Sequence, residues 1–237
     1  MKRIVLTGGG TAGHVTPNIA LLPKLKELNY DIHYIGSYEG IERKLIEEFQ
    51  IPYYGISSGK LRRYFDPKNF TDPFKVVKGF SQARKLMKKL KPDVVFSKGG
   101  YVALPVVFAA KKMKIPCLTH ESDLSPGLAN RLMAGKCRYV LTSFPETAER
   151  IRNGKYCGSP LRKELFEGDR AAAKKKYGFS GSKKVLLVFG GGSGSRAINE
   201  GLRKCVAQLA KKYYILHLCG KGNAVESNIP GYVQKEF

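Results

Sequence analysis

The chain has no apolar run long enough to cross a membrane, no cysteine pair at metal-ligand spacing, and fewer than half as many acidic as basic residues. The first shortage excludes a transmembrane helix, because no stretch of 18 or more apolar residues occurs in the 237 residues. The N-terminal Met1-Lys2-Arg3-Ile4-Val5-Leu6-Thr7 is basic and then apolar. Its apolar run stops after three residues, too short for the core of a secretion signal. The expectation is a cytoplasmic protein that starts directly with a strand. The five cysteines, Cys117, Cys137, Cys157, Cys205 and Cys219, are scattered and odd in number. They predict reduced thiols rather than a metal site or a disulfide framework.

The scarcity of acid leaves 42 Lys and Arg against 19 Asp and Glu, a net charge of +23. Such a surface attracts polyanions: nucleic acid, an anionic membrane or phosphorylated substrates. A merely solvated lysine-rich surface is the alternative.

Short β-branched runs alternate with amphipathic stretches. The expected strands are Arg3–Leu6, Asp31–Ile35, Tyr53–Ile56, Val94–Ser97, Cys117–Thr119, Tyr139–Thr142, Val185–Phe189 and Tyr214–Leu218. Over Asn18–Asn29, residues Ile19, Leu22, Leu25 and Leu28 fall on one helical face, with Pro23 placed to bend or interrupt it. This βαβα rhythm predicts the α/β class, a parallel sheet covered by helices on both faces. The rhythm restarts near residue 162, so two doubly wound domains are expected, 1–161 and 162–237. The second is incomplete, with about three strands and two helices where such a fold wants five or six strands.

Each domain opens with a strand that runs into glycines. The first loop is Gly8-Gly9-Gly10-Thr11-Ala12-Gly13-His14, the second Gly190-Gly191-Gly192-Ser193-Gly194-Ser195. Neither is a P-loop, which disfavours nucleotide hydrolysis, and the first is not G-x-G-x-x-G. Glycine allows a sharp turn and close approach to a ligand, and a following helix N-terminus favours anions. Two such loops suggest a ligand held between the domains. His14 stands outside the carboxyl end of the first strand, where open α/β folds bind ligands. Its imidazole can take a proton from a hydroxyl near neutral pH. A tight turn without a ligand is the plainer alternative.

Five segments in order carry a resemblance: GGGTAGHVTP at 8–17, KPDVVFSKGGYVALP at 91–105, HESDLSPGLAN at 120–130, GSPLR at 158–162, and the glycine loop at 190–199. Together they resemble the MurG family of bacterial N-acetylglucosaminyltransferases over essentially the whole chain. The resemblance implies the GT-B fold, two Rossmann-like domains, and inverting transfer from UDP-GlcNAc. The acceptor would be the C4 hydroxyl of undecaprenyl-pyrophosphoryl-MurNAc-pentapeptide, with no metal and no cofactor. It implies His14 as the catalytic base. Donor contacts would come from Thr11, Ala12, Gly13, Asp123, Arg162, Gly191, Gly192 and Ser193, and acceptor contacts from Gly99, Gly100, Tyr101, His120 and Glu121. The chain departs from the family at Ser122-Asp123, where many members have Gln-Asn. It departs again at Gly192, where many have a serine. Family members also continue for roughly a hundred residues more, with a ribose-binding glutamate, so the resemblance implies a C-terminally truncated chain with impaired activity.

Residues 60–91 carry eleven Lys and Arg against two Asp, interleaved with aromatics. Phe70, Phe74, Val77, Phe80, Lys75 and Lys78 would form a patch on anionic lipid, and the resemblance implies peripheral placement at the cytoplasmic face of the membrane. Packing of these aromatics on the sheet is the alternative. Nucleic acid is not expected as a partner, since no recognised binding module is present. Two rivals to the transferase stand: a non-catalytic membrane-recruiting module of a split enzyme, and a transferase acting on diacylglycerol.

Overall fold

The apolar runs of the N-terminal part become one parallel sheet because they are buried on both faces. In a computed structural model, which describes residues 1–59 and 68–236 and only the backbone at 68–71, the chain divides into two units, Met1–Phe166 and Glu167–Phe237. The first unit contains β1 (Arg3–Thr7), α1 (Thr16–Glu27), β2 (Asp31–Ser37), α2 (Ile41–Glu47), β3 (Tyr53–Ile56), α3 (Lys68–Leu90), β4 (Val94–Ser97), α4 (Ala103–Lys112), β5 (Cys117–Glu121), α5 (Leu128–Ala134), β6 (Tyr139–Thr142), α6 (Pro145–Glu149) and β7 (Gly154–Tyr156). The second contains α7 (Arg170–Lys176), β8 (Lys184–Phe189), α8 (Arg196–Lys212), β9 (Tyr213–Leu218) and β10 (Tyr232–Lys235).

The first sheet runs β3-β2-β1-β4-β5-β6-β7, every pair parallel. Side chains alternate across it. On β1, Val5 joins a core with Ala83 and Met87 of α3 and Val106 and Val107 of α4, whereas Ile4 and Leu6 join Ile19 and Leu22 of α1 on the other face. Each fully buried aliphatic side chain of this kind contributes about 1.5–3 kcal/mol. The strand order reverses between β1 and β4. A crevice therefore opens outside their carboxyl ends, the position at which doubly wound sheets bind ligands.

α1 runs through Pro23 without splitting, with Ile19 and Leu22 buried on the sheet. Leu28 departs from the expected apolar face. It follows the last helical residue and is 57% exposed. In the second unit β8, β9 and β10 pair in the order β10-β9-β8. α8 covers them with Leu202, Val206 and Ala210, spaced four apart to share one face. α7 is exposed and is capped by Asp169, which accepts from the N–H groups of Ala171 and Ala172. Across β5 and its neighbour, the free thiols of Cys117 and Cys137 lie 3.8 Å apart.

Candidate active site

A cleft of ≈ 320 Å³ opens at the reversal of strand order. Its walls come from three loops: Gly9, Gly10, Thr11 and His14 after β1, Gly100 and Tyr101 after β4, and Glu121, Asp123, Gly127 and Asn130 at and beyond the end of β5.

The first loop is held from below by a buried carboxylate. Glu42, in the first turn of α2, is fully buried. One oxygen accepts from Gly10 N at 3.1 Å. The other accepts from Ser37 N at 3.1 Å and Ser37 Oγ at 2.5 Å. A Cβ on Gly9 would lie 2.5 Å from this carboxyl carbon, so a side chain there would displace the carboxylate. Gly10 adopts φ +86°, and a side chain on it would strike the ring of Tyr101. Tyr34 donates to the Gly8 carbonyl at 2.8 Å, and Asn18 Nδ2 donates to the Thr7 carbonyl at 3.1 Å. The loop is thus built before any ligand arrives.

His14 ends the short 3-10 turn Ala12–His14 and is half-buried. Its Nδ1 lies 2.9 Å from Thr11 Oγ1. Its ring rests on Gly100, where a Cβ would come within 3.3 Å of Cγ, and Gly100 itself takes φ +80°. Burial, and then the nearby Lys98 ammonium, hold the imidazole below its ordinary value, against the carboxylates of Glu121, Asp123 and Glu42. When Nδ1 carries the proton and donates it to Thr11, the lone pair of Nε2 is left to act as a base.

The expected site residues separate into groups. Thr11, His14, Gly100, Tyr101, Glu121 and Asp123 meet at the cleft. Gly99 turns the chain at φ +87° and packs on Asn130. Ala12 and Gly13 belong to the turn that carries His14. His120 corrects the expectation that it lines the cleft. Adjacent residues of a strand face opposite ways, so with Glu121 at the cleft His120 lies behind it, 1% exposed, with Nε2 2.8 Å from the Gly158 carbonyl. Glu121 is itself saturated, accepting from Asp123 N, Gly127 N and Asn130 Nδ2 at 2.9 to 3.0 Å. Arg162 is exposed beside Ile19, Leu22 and Pro23 of α1 in a separate groove. Gly191, Gly192 and Ser193 form the exposed turn between β8 and α8.

Glu42, Asn18, Lys98 and Asn130 were not expected at the site. An acid in a first helical turn or a lysine in a lysine-rich chain gives no signal until the sheet order is known.

On α3, Phe74 and Val77 are 77% and 68% exposed, and Lys78 is exposed beside them. Phe80 departs from an exposed patch, since it packs on the core and carries Arg84 over its ring. Lys75 pairs with Asp72 at 3.1 Å. The side chain of Phe70 and residues 60–67 lie outside the described residues. Pro73, Val76, Val77, Phe80, Leu104, Pro105, Phe108 and Leu132 line an apolar groove of ≈ 420 Å³. Among the described residues no helix is long and apolar enough to cross a membrane.

Residues 4–142 match the glycosyltransferase family 28 N-terminal domain, and residues 185–236 match the family 28 C-terminal domain. The chain belongs to glycosyltransferase family 28. It is 58% identical, over its whole length, to the UDP-N-acetylglucosamine--N-acetylmuramyl-(pentapeptide) pyrophosphoryl-undecaprenol N-acetylglucosamine transferase of Lachnoclostridium phytofermentans, and spans 68% of that protein. The transferase of the same name from Clostridium kluyveri is 56% identical over the same span. Among solved structures, Acinetobacter baumannii MurG superposes with a TM-score of 0.71 at 27% identity, covering 100% of this chain and 67% of the other. These likenesses give the family 28 chain the GT-B fold class, its second Rossmann-like unit incomplete, and make it a glycosyltransferase. They favour neither the recruiting module nor the diacylglycerol enzyme.

Proposed function

We propose that the chain transfers N-acetylglucosamine from UDP-GlcNAc to the C4 hydroxyl of lipid-linked MurNAc-pentapeptide in peptidoglycan synthesis. The observation that carries this reading is the 58% identity over the full chain to a transferase of that name, with His14 at the cleft where strand order reverses. In this reading the acceptor hydroxyl enters beside Gly100 and Tyr101. Thr11 accepts the Nδ1 proton of His14, and Nε2 removes the hydroxyl proton as the oxygen attacks the anomeric carbon. The carbon inverts and UDP departs. In the second unit, taken by itself, the exposed turn Gly191–Ser193 at the N-terminus of α8 presents backbone N–H groups and a positive helix end, which suit a diphosphate. Thr11 to Gly13, Asp123 and Arg162 are assigned to the donor. No resident cofactor enters the scheme.

The same reading places the protein peripherally at the cytoplasmic membrane face. Phe74 and Val77 insert among lipids, the apolar groove between α3 and α4 lies beside them, and lysines meet anionic headgroups at about 1 kcal/mol each.

The decisive assay follows labelled GlcNAc from UDP-GlcNAc into the lipid-linked acceptor. Slow transfer is expected for this chain, in keeping with the impaired activity that the resemblance implies, with a further loss of about 10²–10⁴ in kcat for His14→Ala. Undiminished transfer by the variant removes His14 from the mechanism. Absence of binding at millimolar donor would fit the missing donor subsite, whereas failure of the full-length gene product to transfer overturns the reading.

A further inference from the structure

The proposed chemistry leaves Lys98 unused. This lysine follows β4 directly, at the reversal of strand order, and only 2% of its surface is exposed. Its backbone N–H donates to the Thr7 carbonyl at 2.8 Å, which clips it to the end of β1. Its ammonium donates to Ser122 Oγ at 2.7 Å, and among the described residues it has no ion-pair partner. The nearby Glu121 carboxylate is already taken by three N–H donors, and Asp123 stands exposed. Burial pushes the Lys98 ammonium below its ordinary value, and the carboxylates of Glu121 and Asp123 counter this.

The close neighbour is the turn that carries His14. A Cβ on Gly8 would lie 3.1 Å from Lys98 Cβ and 2.5 Å from the His14 carbonyl, so the lysine stem and the histidine backbone pack on the same glycine. Two residues beyond Lys98, Gly100 supports the His14 ring. We propose that Lys98 is a positioning residue for the transfer reaction: its ammonium, buried under the opening loop and anchored to Ser122, keeps the His14 imidazole uncharged so that Nε2 stays available to the acceptor hydroxyl. This rests on the reading of His14 as the base.

The charges around His14 show why such a group is needed. Glu42 reaches it from the α2 side, Glu121 and Asp123 from the β5 side, and all three favour the imidazolium. An imidazolium has no lone pair with which to take a proton. Thr11, the hydrogen-bond partner, is neutral and fixes the tautomer rather than the charge. Burial and Lys98 together oppose the three carboxylates, and Lys98 is the cation among the groups acting on the ring.

The test is an NMR titration of the His14 ring C–H signals in this chain, assigned with His14→Ala. Lys98→Met should move the His14 midpoint up by about half a pH unit or more, since it removes a neighbouring cation. Lys98→Arg should leave it in place. Lys98→Gln, which keeps a hydrogen bond to Ser122 without the charge, reads the same quantity should the methionine variant not fold. A folded neutral variant whose His14 midpoint does not move overturns the proposal. In the transfer assay the acid limb of kcat/KM should move up with the NMR midpoint. A raised acceptor KM with an unmoved limb would make Lys98 a substrate contact and overturn it too. Should His14→Ala transfer as well as the native chain, the reading of His14 as base fails, while the titration still decides whether Lys98 sets the charge of the ring.

Discussion

The two glycine loops share one grammar, strand then glycines then helix, yet they are built to different degrees. The loop after β1 is buttressed on every side: Glu42 below, Tyr34 on its first carbonyl, Tyr101 against Gly10, and Gly100 under His14. The loop after β8 is tight only at its ends. Gly190 packs on Ser195 and Gly194 on the Cys219 carbonyl, while a Cβ on Gly191 or Gly192 would meet nothing within 4 Å. Sheet order explains how the first loop is finished: β1 lies between β2 and β4, so loops from several strands converge on its end. A glycine motif therefore reports a turn, and the strands beside it decide whether the turn is a finished site.

The contrast can be broken first at Glu42. Glu42→Ala removes a fully buried side chain and takes the acceptor from the part-buried N–H groups of Gly10 and Ser37, and urea titration should show a loss of about 2–4 kcal/mol. A loss within the range of ordinary surface substitutions would mean the first loop holds itself.

Next in size is the pair Gly10→Ala and Gly192→Ala. The first forces an alanine to positive φ against Tyr101 and should cost about 1–3 kcal/mol. The second should stay within about 0.5 kcal/mol in stability while weakening UDP-GlcNAc binding measured by calorimetry. Equal stability losses would erase the distinction between the loops.

A smaller effect comes from pH. Burial holds His14 and His120 in the first unit and His217 in the second below the ordinary imidazole value of 6.5. The folded chain then binds fewer protons than the unfolded chain below that pH. The stability these groups contribute is full above 6.5 and falls as the pH drops through it toward their folded values. Urea midpoints at pH 7.5 and 5.0 check the sign. His217→Gln should flatten the response of the second unit alone, since this imidazole is bonded on both nitrogens, to Tyr232 and Asn199.

The smallest effect on stability is expected at Phe74→Ser with Val77→Ser, within about 0.5 kcal/mol because both side chains are exposed. Sedimentation with anionic vesicles should nevertheless fall, and salt should weaken the binding of the native chain. Equal sedimentation of native and variant chains would separate the patch from membrane binding.

Much of this was legible from residue order. Every expected strand occurs, because apolar β-branched runs between turn residues have few other outcomes in a βαβ chain. β7 was not foreseen, since Gly-Lys-Tyr carries no apolar run, and β10 was expected only as a third strand of the second domain, without bounds. That the opening loop and His14 stand at a cleft was legible. Its support was not, because Glu42 and Lys98 reach the loop only through the pairing of β1 with β2 and β4. The side of His120 was legible in principle. Neighbours on a strand cannot both face one cleft, and Glu121 occupies it.

The pairing of β1 has a consequence for how the chain assembles. Ile4 finds Ile32 on β2 early in the sequence, but its other partner, Val94 on β4, comes much later. Contacts so distant along the chain form slowly, because the loop between them must be closed before the contact repays it. The first glycine loop can turn as soon as β1 and β2 meet. His14 gains its support from Gly100, and its neighbour Lys98, only when β4 docks. Competence is thus expected to lag behind secondary structure during refolding, and a probe on Tyr101 should report later than the helical signal.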